Sequence, residues 1–244
     1  MTTSDLWDEK TAAAYDEASA AMFAPDVLDP AVDLLTELAG DGRALELAIG
    51  TGRVGIPLAQ RGIEVVGIEL SPPMVDQLHR KAADLPVTVG DMATTQVEGT
   101  FALVYLVFNT IGNLTTQEEQ VACFANAARH LEPGGRFVVE VGVPALRRLP
   151  PGQAAVPFDV GEEHVGLDTY DPVTQQAMSY HYSREADGSW SYSPHHFRYV
   201  WPSELDLMAR LAGLRLERRT SDWRGAPFTA ESESHVSVWR REGQ

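Results

Sequence analysis

Three carboxylates and a run of glycines have the types and spacing to do chemistry together. "ALELAIGTGRVG", Ala44 to Gly55, carries glycines at 50, 52 and 55 and a carboxylate at Glu46. Glu69 ends "VVGIEL", and Asp91 follows Gly90 in "VGDM". The spacing G-x-G-x-x-G is the dinucleotide fingerprint, in which a pyrophosphate sits on a helix N-terminus and an acid about 20 residues later takes the ribose. Glu69 stands where that acid belongs. Glu46, however, puts negative charge four residues ahead of Gly50, where a diphosphate would lie.

Two adenosine-bearing ligands compete for this loop. A nicotinamide dinucleotide explains the glycines and Glu69. It leaves Glu46 unexplained, leaves the Gly90–Asp91 pair without a role, and finds no Tyr-x-x-x-Lys pair to serve as acid. S-adenosylmethionine has no phosphate, and its amino-acid end is a zwitterion. Glu46 would hold its ammonium, directly or through water, by charge-assisted hydrogen bonds. Gly50 and Gly52 let backbone approach the ligand, and the next helix's first amides favour its carboxylate. Glu69 would accept from both ribose hydroxyls and Asp91 from the adenine amino group, with Met92 packed on the ring. Arg53 suits the ligand carboxylate and equally an exposed first helical turn. Leu70 either flanks the adenine or simply packs. Gly55 then reads as a helix residue packed on the sheet.

The elements needed to position these groups alternate along the chain. Residues 5–23 read as a helix broken by Pro25 and Pro30, and 30–39 as a second helix ending at Gly40. "RALELAI", "EVVGIEL", "VTVGDM", "FALVYLVFN" and "RFVVEV" read as strands. Between them "RVGIPLAQRG", "PPMVDQLHRKAADL" and "QEEQVACFANAARHL" read as helices. This is the grammar of a parallel sheet covered on both faces. From Pro144 it changes. "ALRRLPPGQAAVP" reads as a connector, and "HVGLDTYD", "QQAMSYHYSRE" and "HHFRYVW" as a small antiparallel sheet. "PSELDLMARLAG" is a helix with Leu205, Met208, Leu211 and Ala212 on one face, and "LRLERRTSD" and "SHVSVWRR" are closing strands. Strand periodicity puts His195, Phe197, Tyr199 and Trp201 on one face, the aromatic core stripe. His196, Arg198 and Val200 then face solvent or a cleft.

Bulk composition excludes several classes. The formal charge of −16 at pH 7 repels phosphate backbones, so no nucleic-acid partner is expected. No apolar run is long enough for a membrane span. The N-terminus lacks the basic and apolar regions of a secretory signal, and a single cysteine, Cys123, allows no internal disulfide. These features place the chain in the cytoplasm. The lysines, Lys10 and Lys81, lie away from the glycine loop, against a Schiff-base or P-loop lysine mechanism. No metal site is visible.

"LELAIGTGRVGIPLA", "VVGIELSPPMVDQL", "VGDM", "VYLVFNTIGNL" and "LEPGGRFVVEV" in this order resemble the motifs of class I S-adenosylmethionine-dependent methyltransferases, over residues 40 to 142. The resemblance implies a Rossmann-like α/β fold with a seven-stranded, mostly parallel sheet and an antiparallel last strand. It divides one domain into a helical cap (1–39), a cofactor core (40–143), a small antiparallel β insertion (150–201) and a last helix with closing strands (202–244). Ala48 stands where many members carry glycine and is read as inconsequential. Phe108 and Asn109 would line the site at the methyl group; Tyr15 would belong to the cap that closes over the cofactor, whereas Trp7 is read as packing. His195 and His196, with His181 behind them, are the candidate bases. The cap and insertion look like those of bacterial enzymes acting on sugar amines and peptide termini. That implies methyl transfer to a small-molecule or peptide acceptor, N-methylation slightly favoured over O-methylation, by a monomer or homodimer. Asp159, Glu162, Glu163 and Asp168 would attract a cationic amine or form a solvated face. A non-enzymatic cofactor-binding protein is the alternative from another class.

Overall fold

A computed structural model of the protein describes residues 7–145 and 149–243. Seven strands form the main sheet: β1 (Ala44–Leu47), β2 (Val65–Glu69), β3 (Val87–Val89), β4 (Phe101–Leu106), β5 (Leu131–Gly142), β10 (Leu214–Thr220) and β11 (Ser234–Arg241). Their order is β3-β2-β1-β4-β5-β11-β10. Pairing is parallel except at β11, which runs antiparallel to both β5 and β10. Every residue of β1 and β2 is buried, as in strands covered on both faces.

Period-two alternation divides the core into two layers. Leu45, Leu47, Val104, Leu106 and Val139 point to one side, under α5 (Gln117–His130) and α6 (Pro202–Leu211). Ala44, Leu103, Tyr105 and Val138 point to the other, under α2 (Pro25–Ala39), α3 (Gly55–Gln60) and α4 (Pro72–Lys81). Local capping starts these helices: Ser71 accepts from the Met74 amide, and Thr116 and Glu119 form a reciprocal capping box. Cys123 is fully buried in the α5 layer, and burial pushes its thiol well up.

The N-terminal helices differ from the sequence expectation. The first, α1, spans only Glu9–Ala18 and is followed by a 3-10 turn at Ala20–Phe23; positions 5 and 6 lie outside the described residues. Pro25 starts α2, and Pro30 lies inside it. A proline there leaves the carbonyl four residues back without its helical donor. That carbonyl, on Asp26, accepts from Arg224 Nη2 at 2.7 Å, so the proline is tolerated within the helix. On α6 the buried stripe is Leu205, Met208 and Ala209, whereas Leu211 is 75% exposed. Leu211 is six residues from Leu205, on the far side of the 3.6-residue turn.

A separate sheet holds β6 (Ala155–Val160), β7 (His164–Tyr170), β8 (Gln176–Arg184) and β9 (Trp190–Arg198) in that order, all antiparallel. β6 begins within what the sequence reads as connector, at Ala155–Pro157, and runs three residues past it; residues 146–148 of that connector are outside the described set. Pro157 hides β6: it sits on an edge strand beside a register shift, where proline is tolerated. β9 stops at Arg198, so Tyr199 and Trp201 leave the sheet.

Candidate functional site

The carboxyl ends of β1 to β4 and their loops enclose a cavity of about 720 Å³, open mouth included. After β1 the chain turns through Ala48, Gly50 and Gly52, with φ of 54°, 58° and 84°. Glycine takes this region freely, whereas alanine pays about 1–2 kcal/mol. Ala48 is therefore a strained residue on the cavity wall and has a consequence after all. Gly50 also lines the cavity, and a Cβ there would meet no atom within 4 Å. The backbone there is open to the cavity. Gly52 does not line it: its missing Cβ admits Ile56, 2.7 Å from that position. Gly55 opens α3, where a Cβ would lie 2.7 Å from Glu46 Oε2.

Glu69 organises the loop. Its Oε2 accepts from the Gly50 amide at 2.8 Å and its Oε1 from the Ser71 amide at 2.9 Å. Burial raises its pKa, against those two amides. Each carboxylate oxygen keeps a further lone pair at the cavity wall, with Leu70 beside it. Asp91 and Met92 form the next stretch of wall, and Asp91 Oδ1 is anchored by the Ala93 amide at 2.7 Å.

Glu46 is not in the wall. Strand alternation turns it to the α2–α3 side with Ala44, and the parallel register sets it opposite Tyr105. It is 2% exposed, and Tyr105 Oη donates to its Oε2 at 2.9 Å. Burial raises its pKa to about 8, against the Tyr105 hydrogen bond and the Arg53 charge. It supports the glycine loop from beneath.

The cap crosses the mouth. Tyr15 lines the cavity, and so does Trp7, which sequence reasoning assigned to packing; their rings meet edge to face at 5.7 Å. Asp16 accepts from Thr51 Oγ1 at 2.5 Å and pairs with Lys81, while Ser71 Oγ donates to the Trp7 carbonyl at 2.7 Å. The helix is thus tied to the glycine loop and to α4.

At the end of β4 the structure parts from the implied site. Phe108 and Asn109 have φ of 57° and 61° and are exposed, and neither lines the cavity. Asn109 Oδ1 accepts from the Gly142 amide at 2.5 Å, clasping the ends of β4 and β5. Phe108 carries Arg53 over its ring at 5.4 Å, so Arg53 too stays out of the wall. The 3-10 turn Thr110–Asn113 brings Thr110 and Asn113 there instead, with Leu114 after it. Nothing in the sequence singles out Asn113 over Asn109. Met74 of α4 and Gly90 complete the residues that sequence reasoning missed.

The candidate bases separate by face. His195 is partly buried, and its Nε2 lies 3.2 Å from Asn113 Oδ1. Burial lowers its pKa, and neighbouring histidines add to this. His196 is exposed on the opposite, outer face of β9, pointing away from the cavity. The aromatic stripe is the face that meets the core, because Phe197 packs on the turn at Gly112. Arg198 takes neither expected place. It is 4% exposed and donates to Gln120 and Gln175 and pairs with Glu204 at 2.8 Å.

Comparison with known proteins agrees with this fold. Residues 44–135 match the methyltransferase domain family. The cypemycin N-terminal methyltransferase of Streptomyces sp is 30% identical over 254 aligned residues, covering 99% of this chain and 100% of that one. The CcbJ methyltransferase from Streptomyces caelestis superposes with a TM-score of 0.79 at 38% identity, covering 88% of this chain and 89% of that one. An amino pentose methyltransferase from Micromonospora echinaspora, solved with S-adenosylmethionine bound, superposes at 0.73; at 22% identity, with 92% and 95% coverage, it shows the shared fold. Similarity over the whole chain at 30% identity, on this mostly parallel seven-stranded sheet, places the chain in the class I S-adenosylmethionine-dependent methyltransferase family.

Proposed function

We propose that this enzyme methylates an amine nitrogen of a small-molecule or peptide acceptor. One observation carries the reading: the insertion face that meets the cavity through His195 and Asn113 is lined by carboxylate, imidazole and hydroxyl groups. Asp168, Ser179 and His195 lie on it side by side by register, and His181 lies two residues along β8 on the same face, with no arginine or lysine among them. Such a surface suits a cation and repels an acidic acceptor. The full-length relative is named for methylating a peptide N-terminus, and shorter matches are named for amino-sugar N,N-dimethylation.

The residues present suit S-adenosylmethionine. Gly50 leaves room for it, Glu69 offers lone pairs to ribose hydroxyls, Asp91 offers its carboxylate to the adenine amino group, and Met92 and Leu70 offer apolar contact. When bound, this cosubstrate supplies a methyl group on a sulfonium, already a good leaving group. What the chain must add is position and water exclusion. Trp7 and Tyr15 cover the mouth, and Asp16 holds that cover through Thr51 and Lys81. The acceptor nitrogen must reach the site with its lone pair free, so a group that takes its proton is required.

The test is formation of S-adenosylhomocysteine with a panel of free N-terminal peptides and amino-sugar nucleotides, each beside its N-acetylated and hydroxyl counterparts. The free amines are expected to turn over and the N-acetyl forms not. Turnover of hydroxyl acceptors alone would make the enzyme an O-methyltransferase. Affinity for S-adenosylhomocysteine without any product would make it a binding protein.

A further inference from the structure

The core-facing side of the insertion holds a chain of hydrogen bonds. Asp159 Oδ2 lies 2.6 Å from His164 Nδ1. His164 Nε2 lies 3.1 Å from His181 Nδ1, and His181 Nε2 lies 3.1 Å from Ser179 Oγ. The nitrogens of His164 and His181 face each other at hydrogen-bond distance, leaving no room for an ion between them. Phe158 covers the pair, with ring centroids 6.2 Å from His164 and 5.3 Å from His181. It is seated there because Gly166 has no side chain: a Cβ would lie 2.2 Å from the Phe158 ring. The chain runs from shelter to solvent. Ser179 is 9% exposed, whereas the Asp159 side chain is 48% exposed.

One set of tautomers satisfies every link with both imidazoles neutral. A carboxylate only accepts, so His164 carries its proton on Nδ1 and accepts at Nε2. His181 must then donate from Nδ1 and accept at Nε2, and Ser179 must donate its hydroxyl proton. Burial and the neighbouring His164 both lower the pKa of His181, which keeps it neutral. All donors point outward, and the lone pairs of Ser179 Oγ remain at the inner end.

Beside Ser179, directly across the strands, stand Asp168 on β7 and His195 on β9. Asp168 Oδ2 accepts from Tyr170 Oη at 3.0 Å. Its Oδ1 is buried and has no hydrogen-bond partner. A buried, unpaired carboxylate oxygen is costly, and a donor of positive charge removes the cost. Among the described residues no arginine or lysine is paired with it. The titratable groups facing this spot are Asp159, His164, Asp168, Tyr170, His181 and His195.

We propose that this face is the subsite for the acceptor amine, where Asp168 Oδ1 holds the ammonium and the Ser179–His181–His164–Asp159 chain carries its proton to solvent. The proposal rests on the amine-acceptor reading and names the groups that would serve it. One ammonium N–H bond breaks and its electron pair stays on nitrogen. The proton joins Ser179 Oγ as the serine proton passes to His181 Nε2, the His181 Nδ1 proton to His164 Nε2, and the His164 Nδ1 proton to Asp159. Asp159 releases it to water, and a neutral amine is left. Nothing is oxidised or reduced.

The test uses the full chain labelled with ¹⁵N-histidine and saturated with S-adenosylhomocysteine. Long-range ¹H–¹⁵N spectra are expected to show His164 and His181 both as neutral Nδ1–H tautomers, and Asp159→Ala, which removes the acceptor that fixes the set, to release both from that form. Titration with ethylammonium chloride, against sodium chloride at equal ionic strength, is expected to shift His181 and His195 saturably. Asp168→Asn is expected to weaken that binding about 10- to 100-fold, the loss of a charged hydrogen bond. An Nε2–H tautomer at His181 in the wild type overturns the relay. Equal ethylammonium affinity in Asp168→Asn, or no binding to the wild type, overturns the subsite. Retained S-adenosylhomocysteine affinity shows that each variant is folded; should Asp168→Asn not fold, Asp168→Glu and the wild-type tautomers decide. The amine-acceptor reading fails separately, by absence of amine turnover in the panel assay.

Discussion

Glu46 offers the sharpest test of how the cofactor loop is supported. Its carboxyl is buried with Tyr105, and burial raises its pKa from 4.5 to about 8. A raised pKa means that the folded protein holds the proton while the unfolded chain gives it up. The stability contribution is complete below the unfolded pKa and is lost as pH rises through the folded one. The slope is about 1.4 kcal/mol per pH unit. Between pH 5 and 8, with half-ionisation at the top of that range, the loss from this group is about 3–4 kcal/mol. Glu46→Gln keeps the shape, keeps an acceptor for Tyr105 Oη and does not titrate. Urea unfolding of wild type and variant should therefore be followed from pH 5 to 8. The difference between the two stabilities is expected to move by that amount against the wild type, since every other group titrates in both. A flat difference would show that Glu46 is ionised in the fold, and the reasoning from burial would be refuted. Tyr105→Phe adds a check. It removes the phenol that lowers the Glu46 pKa, so it should cost about 1–3 kcal/mol and shift the wild-type pH dependence upward.

Four further outcomes are expected. Ala48→Gly releases about 1–2 kcal/mol of left-handed strain and loses about 0.4–1 kcal/mol to unfolded-chain entropy; a net gain of about 0.5–1 kcal/mol should appear as a higher Tm, and a lower Tm would count against the strain. Glu69→Gln turns an amide donor toward the Gly50 or Ser71 amide, so S-adenosylhomocysteine binding by calorimetry should weaken about 10- to 100-fold. Arg198→Met leaves Glu204 and two glutamines without their buried donor and should cost about 3–5 kcal/mol in urea unfolding, whereas exposed His196→Ala should change stability by less than about 0.5 kcal/mol.

Much of the site is local and could be read directly. Apolar runs bounded by glycine mark the strands, and Glu69 and Asp91 stand at strand ends, where an open parallel sheet binds ligands. None of this requires knowing what lies across the chain.

The rest depends on partners distant in sequence. Period two fixes that Glu46 and Leu45 point to opposite sides, but only the β1–β4 register supplies Tyr105 and turns Glu46 from a cavity wall into a buried support. Asn109 and Asn113 look alike in "NTIGN". The Gly142 amide claims one, and the 3-10 turn swings the other into the cavity. In "HHFRYVW" alternation separates His195 from His196, and the aromatic stripe marks the core face without saying whether the other face meets a cleft or solvent. Docking on Gly112 and Asn113 decides it and leaves His196 in solvent. Pro30 signals a helix end until Arg224, almost two hundred residues away, satisfies the Asp26 carbonyl. The sequence by itself determined the sheet, the glycine loop and the carboxylates at its edge, because those follow from hydrophobic periodicity and backbone conformation. Only the tertiary structure decided which of those side chains face the ligand, because facing is a matter of register and packing between segments that local chemistry does not connect.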